Sequence, residues 1–456
     1  MNVSGGEESI SRKLSYFGRL NYDYQGKYYI QASFRADAAD LSVLPATNRW
    51  GFFPAVSAGW TISREEFMEN TRDWLSNLKV RASWGQNGST AGLGGYRYAT
   101  VITSTGEYPT GQGTVYVPGY APSATGNPQL GWEKSEQLDF GIDARFFHDR
   151  LSFTADWYKK TTKDLIVSGI TASTVVGNTA SPVNAGNIMN TGVEFELGWQ
   201  DHIGDFHYGI RGNIATLRNE VTKLHETIDR LTGATFHTYG TITAFEVGHP
   251  AWYFYGYEFD KIDPATGTPL FKDISGPDGV PDGDINDYDK TEIGKGMADF
   301  NYGITLNLAW KGLDLIVFGT GSYGNDIYCC LNRSDYILNK LTYFTEDRWT
   351  PTNTKGTQPK AGANDYDKYM ISSASIFDGS YFKIKQVQLG YTIPENITRK
   401  VSVSNLRLYA SMDDWFTFSK YPGFDPEVNG GGSSLGVDKG NYPISKKLVF
   451  GISLKF

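Results

Sequence analysis

The sequence predicts an all-β fold: an antiparallel transmembrane β-barrel, here a truncated portion of about 13–16 strands, with long loops at one end. Three observations predict it. Apolar residues recur with a period of two along many runs of about eight to ten residues, near the length that crosses a bilayer at a tilt. Short turns and long segments alternate between these runs. Aromatics make up 14% of the residues and 52 are glycine, which suits strands joined by Gly-rich turns and disfavours helix bundles.

The elements follow in chain order. In 14–24, Leu14, Tyr16, Leu20, Tyr22 and Tyr24 share one face, and Arg19, Asn21 and Asp23 share the other. Strands 28–37, 53–62 and 77–84 come next. In 138–147, Leu138, Phe140, Ile142, Ala144 and Phe146 alternate with Asp139, Asp143 and Arg145. Little more than His148 and Asp149 separates it from strand 150–158. Strands 192–200 and 205–216 form another tight pair, and Lys311-Gly312 joins 301–310 to 313–321. Strands 380–391, 404–412 and 447–456 complete the set. The long segments 159–191, 217–299, 322–379 and 413–446 fall between the tight pairs. That alternation is the pattern of an outer-membrane barrel with its long loops outside the cell. A sandwich has no reason to gather every long loop at one end. Trp157, Trp199 and Trp310, near strand ends, suit interfacial girdles.

The chain closes on KKLVFGISLKF, in which Leu448, Phe450, Ile452, Leu454 and the final Phe456 alternate with small, polar or charged residues, an alternation that only Val449 breaks. Gly451, Leu454 and Phe456 match the C-terminal insertion signal of outer-membrane proteins. The thirteen strands form an odd number, whereas bacterial single-chain barrels have even ones. Walking back from a periplasmic C-terminus puts residue 1 outside the cell, so further strands are expected upstream. An open sheet follows, in which 14–24 and 447–456 do not pair with each other. The N-terminal MNVSGGEESISRK has no apolar core. Either the chain stays in the cytoplasm or its true beginning lies upstream.

One stretch carries possible site chemistry. Within 217–299 lies the acidic segment 277–294, PDGVPDGDINDYDKTEIG. In an EF-hand register Asp278 is position 1, Asp282 position 5, Gly283 position 6, Asn286 position 9 and Asp289 position 12, with the Asp284 carbonyl as a further oxygen. These residues are the candidate calcium ligands. Position 3 is Val280, which offers no side-chain oxygen, and a solvated acidic turn is the alternative.

Other features exclude more than they assign. A net charge of −8 argues against nucleic acid. Cys329 and Cys330 are adjacent and form neither a disulfide framework nor a zinc site. The histidines lack metal-ligand spacing. Aromatics in 251–259 could stack on sugars, although packing suits them better, and Asp413 and Asp414 beside Trp415 could face a substrate or simply a solvated rim. No Ser-His-Asp or Cys-His set stands out, so no enzyme is expected. The rival to a transporter is a surface or secreted glycan-binding or adhesive β protein with a calcium-stabilised loop. Its mark would be Leu138, Phe140, Ile142 and Phe146 buried between two sheets.

Several stretches resemble one family along the whole chain: SYFGRLNYDYQGKYYIQASFRAD (15–37), NRWGFFPAVSAGWTISREEFM (48–68), LKVRASWGQNG (78–88), GNPQLGWEKSEQLDFGID (126–143), GSYFKIKQVQLGYTIP (379–394) and LRLYASMDDWFTFSKYPGFDPEV (406–428). They resemble the C-terminal part of SusC/RagA-family TonB-dependent outer-membrane transporters. That resemblance implies a barrel of about 22 strands with an N-terminal plug, of which the plug and first strands are absent here. It implies import of oligosaccharide or peptide cargo, a SusD-like lipoprotein as lid, contact with the TonB complex through the missing N-terminal part, and outer-membrane lipid around the wall. It requires no cofactor, and calcium is an expectation from the acidic segment 277–294 alone. The loop 36–50 departs from the family's usual shorter Asp-Gly-Ser form.

Overall fold

The computed structural model describes residues 10–110, 115–122, 124–167, 179–333, 340–428 and 430–456. The reading of the N-terminus rests partly on residues 1–9, outside the described residues. Thirteen strands follow one another in a single sheet. They are β1 Leu14–Tyr24, β2 Tyr28–Ala38, β3 Trp50–Thr61, β4 Leu75–Ser89, β5 Glu133–Phe146, β6 Leu151–Val167, β7 Val183–Ile203, β8 Phe206–Thr216, β9 Phe300–Trp310, β10 Leu313–Tyr323, β11 Tyr381–Thr392, β12 Asn405–Ser419 and β13 Lys447–Lys455. Each pairs antiparallel with its predecessor. A side strand, Arg218–Leu224, adds to the far half of β7. Among the described residues β1 pairs only with β2 and β13 only with β12, so the sheet has two open edges.

The tight turns share one end of the sheet with two medium connections, 62–74 and 393–404, and the longest connections, 90–132, 217–299, 324–380 and 420–446, lie at the other. The tight turns are 25–27, 147–150, 204–205 and 311–312. Gly312 has φ +89°, and a Cβ there would sit 2.6 Å from the Thr392 carbonyl oxygen, so neither the backbone conformation nor the space admits a side chain. No helix among the described residues is long and apolar enough to cross a membrane.

The apolar face of the sheet has nothing packed over it. Phe140 is 50% exposed and Ile142 43%, with Leu138 and Phe146 half-buried. In β13, Phe450 is 75% exposed. A sandwich would bury these side chains, so the adhesive-protein reading loses its mark. The polar face carries ion pairs instead. Arg81 reaches Asp143 at 3.0 Å and Asp156 at 2.6 Å, and Arg407 donates to Asp314 at 2.9 Å. A cavity of about 390 Å³ opens against this face of β1 to β5, between Asn21, Gln31, Ser57, Lys79, Arg81 and Asp139.

Two aromatic belts bound the apolar face. At the short-turn end Tyr28 stacks on Trp60 at 6.3 Å, Trp74 on Phe146 at 6.0 Å, and Phe147 meets Trp199 at 6.4 Å. At the long-loop end Tyr16 stacks on Trp50 at 6.1 Å, Tyr302 on Phe382 at 6.0 Å and Phe382 on Phe418 at 6.3 Å. Tyr302 and Trp310 lie about 27 Å apart along β9 at roughly 3.4 Å per residue, or about 20 Å in height at barrel tilt. That approaches the apolar band of an outer-membrane barrel. Trp199 and Trp310 stand in the lower belt, as expected. Trp157 does not: it stacks on Phe140 in mid-strand at 5.9 Å.

Candidate functional site

The long loops fold into a layer of their own. Phe236, Ile242, Phe254, Tyr257, Tyr328 and Met370 share one core drawn from segments 217–299 and 324–380. The β-bridge of Tyr328 and Cys329 with Val437 and Asp438 ties in segment 420–446. The aromatics of Tyr253–Tyr257 are all buried in this layer, which makes them packing residues. Cys329 and Cys330 are buried and free, and burial pushes the Cys329 thiol up to about 11. Such a thiol is inert at neutral pH.

A buried ionic clamp joins this layer to the wall. The register slips at Lys385 on β11 and again on β12, where Asp414 takes φ +58°. Below the slip the outward residues are Val387, Leu389 and Tyr391; above it they include Phe382, so Lys383 and Lys385 turn inward. Lys383 Nζ, its side chain only 2% exposed, bonds Asp425 at 2.5 Å and Glu427 at 2.7 Å. Lys385 bonds Glu427 at 2.5 Å and Asp414 at 3.0 Å. Burial raises the Asp425 and Glu427 carboxyls, but the lysine bonds outweigh it and hold both below the ordinary carboxylate range. Asp414 thus belongs to the clamp. Asp413 accepts from Ser411 at 2.5 Å, and Trp415 Nε1 donates to the Lys447 carbonyl at 2.7 Å.

The acidic segment has a different internal order from an ion-binding loop. Asp289 is fully buried, and its carboxylate accepts from the backbone N–H groups of Ile274 at 2.8 Å, Ser275 at 3.2 Å and Asn286 at 2.8 Å. Burial opposes the charge, and these donors overcome it, so the carboxyl lies below its usual range. Asn286 Oδ1 accepts from Tyr288 N–H at 2.9 Å, completing a capping box with Asp289. Asp282 accepts from Asp284 N–H at 3.0 Å, while Asp278 and Asp284 are exposed. Among the described residues no three carboxylate, histidine or cysteine groups gather around one point. The segment is held by side-chain-to-backbone bonds, which the EF-hand register did not anticipate.

At the C-terminus, Gly451 lies opposite Tyr409, and a Cβ there would meet the Tyr409 ring at 2.1 Å. The glycine makes room for that ring. Leu454 and Phe456 are exposed on the apolar face.

A two-faced sheet of this size, aromatic-belted and looped at one end, defines an outer-membrane β-barrel. The chain belongs to the TonB dependent receptor-like β-barrel family, whose model matches residues 7–410. It is 29% identical to TonB-dependent receptor P3 of Formosa agariphila over 97% of this chain and 45% of the relative. It is also 29% identical to TonB-dependent receptor SusC of Bacteroides thetaiotaomicron, over 97% of this chain and 44% of SusC. Among solved structures, the RagAB peptide transporter superposes with a TM-score of 0.81 at 27% identity, covering 97% of this chain and 48% of that one. The chain spans about half the length of the curated relatives it matches. The protein is an integral outer-membrane protein of SusC/RagA type, and the described sheet is part of its barrel.

Proposed function

We propose that this chain forms the C-terminal wall and outer mouth of a TonB-dependent importer that carries nutrient fragments, oligosaccharides or peptides, across the outer membrane. The observation that carries this reading is the wall itself: lipid-facing aromatics outside, charged pairs inside, and a folded loop layer clamped over one end. Likeness to SusC and to the RagAB peptide transporter supports it. A SusD-like lipoprotein would close the mouth, and the TonB complex would act through the part of the relatives that this chain does not match. The chain would do no covalent chemistry. Specificity would come from shape and hydrogen bonding along the lumen and loops. The Asp-rich segment would serve as structured loop, with calcium as an addition at Asp278, Asp282 and Asp284.

The test is growth of a host strain lacking the full-length gene, with defined oligosaccharides or defined peptides as the sole carbon source. Loss of growth on one class, restored by the gene, supports import and names the cargo. Unchanged growth and uptake on both classes would overturn it.

A further inference from the structure

The outer face of β5 and β6 changes character above the apolar band. Phe140 lies opposite Trp157 in the band. Successive pairs on the same face are Leu138 with Lys159, Glu136 with Thr161, and Lys134 with Lys163. Lys134 and Lys163 are in direct cross-strand register, where like charges repel. Lys163 bonds Glu136 at 2.5 Å, and Glu136 also accepts from Trp84 Nε1 at 2.9 Å. Among the described residues no ion pair joins Lys134 or Lys159 to a carboxylate. All three lysines are exposed, so the outward positions of these registered pairs carry three cations against one anion, with exposed Asp164 following Lys163 at a bulge. Lys134 stands roughly 30 Å above Phe146 of the lower belt, counting about 3.4 Å per residue at barrel tilt. That is headgroup height in the outer leaflet, and Lys159, lower down, can extend its ammonium upward.

We propose that Lys134, Lys159 and Lys163 bind the phosphates of an outer-leaflet glycolipid headgroup on the outside of the barrel. The phosphate relieves the repulsion between the paired lysines through charge-assisted bonds. Trp84 lies beside Glu136 at the same interface and packs under the headgroup. The inference rests on the outer-membrane placement of the family and is independent of what the lumen carries.

The test uses full-length protein in phosphatidylethanolamine nanodiscs containing a small fraction of bisphosphorylated lipid A, with retained lipid A counted by native mass spectrometry. At about five-fold per lysine, Lys134→Gln with Lys163→Gln should lower retention by about 25-fold. Lys160→Gln removes one cation from the lumen face of the same strand and should leave retention unchanged. Inorganic phosphate at millimolar concentration should not displace the lipid. Heat-modifiable gel migration checks that each variant is folded, and Lys134→Gln alone serves if the double variant is not. Equal loss in Lys160→Gln, equal retention of dephosphorylated lipid A, or no loss in the folded outer-face variants would overturn the assignment.

Discussion

Lys383 shows how much one side chain can hold. Its ammonium is almost wholly removed from solvent and bonded to two carboxylates that come from a loop 42 and 44 residues away. Lys383→Met would leave Asp425 and Glu427 facing each other, with only Lys385 between them and water. Breaking a buried pair from one side typically costs about 3–5 kcal/mol. The expected outcome is rapid hydrogen exchange across 420–446 with the strands unchanged, whereas Lys160→Met should have no such effect. Acid should act the same way. Both carboxyls are lowered in the folded state, so their contribution is present above the unfolded range near pH 4 and is lost as pH falls through the lower folded values. Protease sensitivity of this loop should therefore rise only below about pH 4; a rise already at pH 6 would point to a different titrating group. Asp289 offers a second case. Asp289→Ala strands three backbone donors and should free segment 273–294 with or without calcium. If instead millimolar calcium protects the wild-type loop and Asp282→Ala abolishes that protection, the exposed carboxylates hold a metal after all.

The strands were the most legible elements. Period-two alternation located all thirteen, because lipid on one side and a polar lumen on the other enforce it residue by residue. Their far ends were less legible. β7 runs over Val183–Ile203 and β12 over Asn405–Ser419, well past the expected 192–200 and 404–412. Above the membrane both faces meet water or loop, so polar residues continue the ladder without an apolar stripe. The slip at Lys385 also reverses which parity faces out along β11, from Val387, Leu389 and Tyr391 to Phe382 and Ile384, and no local pattern announces it. The clamp was invisible for the same reason: Lys383 and Asp425 meet only through the fold. The C-terminal Gly451, Leu454 and Phe456 were visible, though the reason for the glycine is the Tyr409 ring opposite it. The face assignment itself is testable in β9. Ile304 is 42% exposed on the apolar face, and Thr305 points to the other side. In the full-length protein Ile304→Arg should cost about 2–4 kcal/mol of folded stability in lipid, while Thr305→Arg should be tolerated. Equal folding yields in lipid vesicles would sink the assignment.

At the scale of the whole molecule the decisive feature is an open sheet. β1 and β13 each offer one unpaired edge, and a strand of this length leaves roughly ten backbone donors and acceptors on it. In water such groups bond solvent. In hydrocarbon each unsatisfied group costs several kcal/mol, which is why spanning sheets close. As the sheet stands neither edge meets the other, and the chain covers only 48% of the RagAB chain it superposes on. The 456 residues expressed alone should therefore not refold in detergent or vesicles into a monomeric, heat-modifiable barrel. The edges should instead pair between copies, giving oligomers that grow with protein concentration. The loop layer has its own core and does not depend on closure to the same degree, so its amides should keep partial protection in those oligomers. Gel migration with and without heating, light scattering across a concentration series, and hydrogen exchange resolved by segment would read all three expectations. A compact monomer with protected amides along both β1 and β13 would show that the two edges can meet.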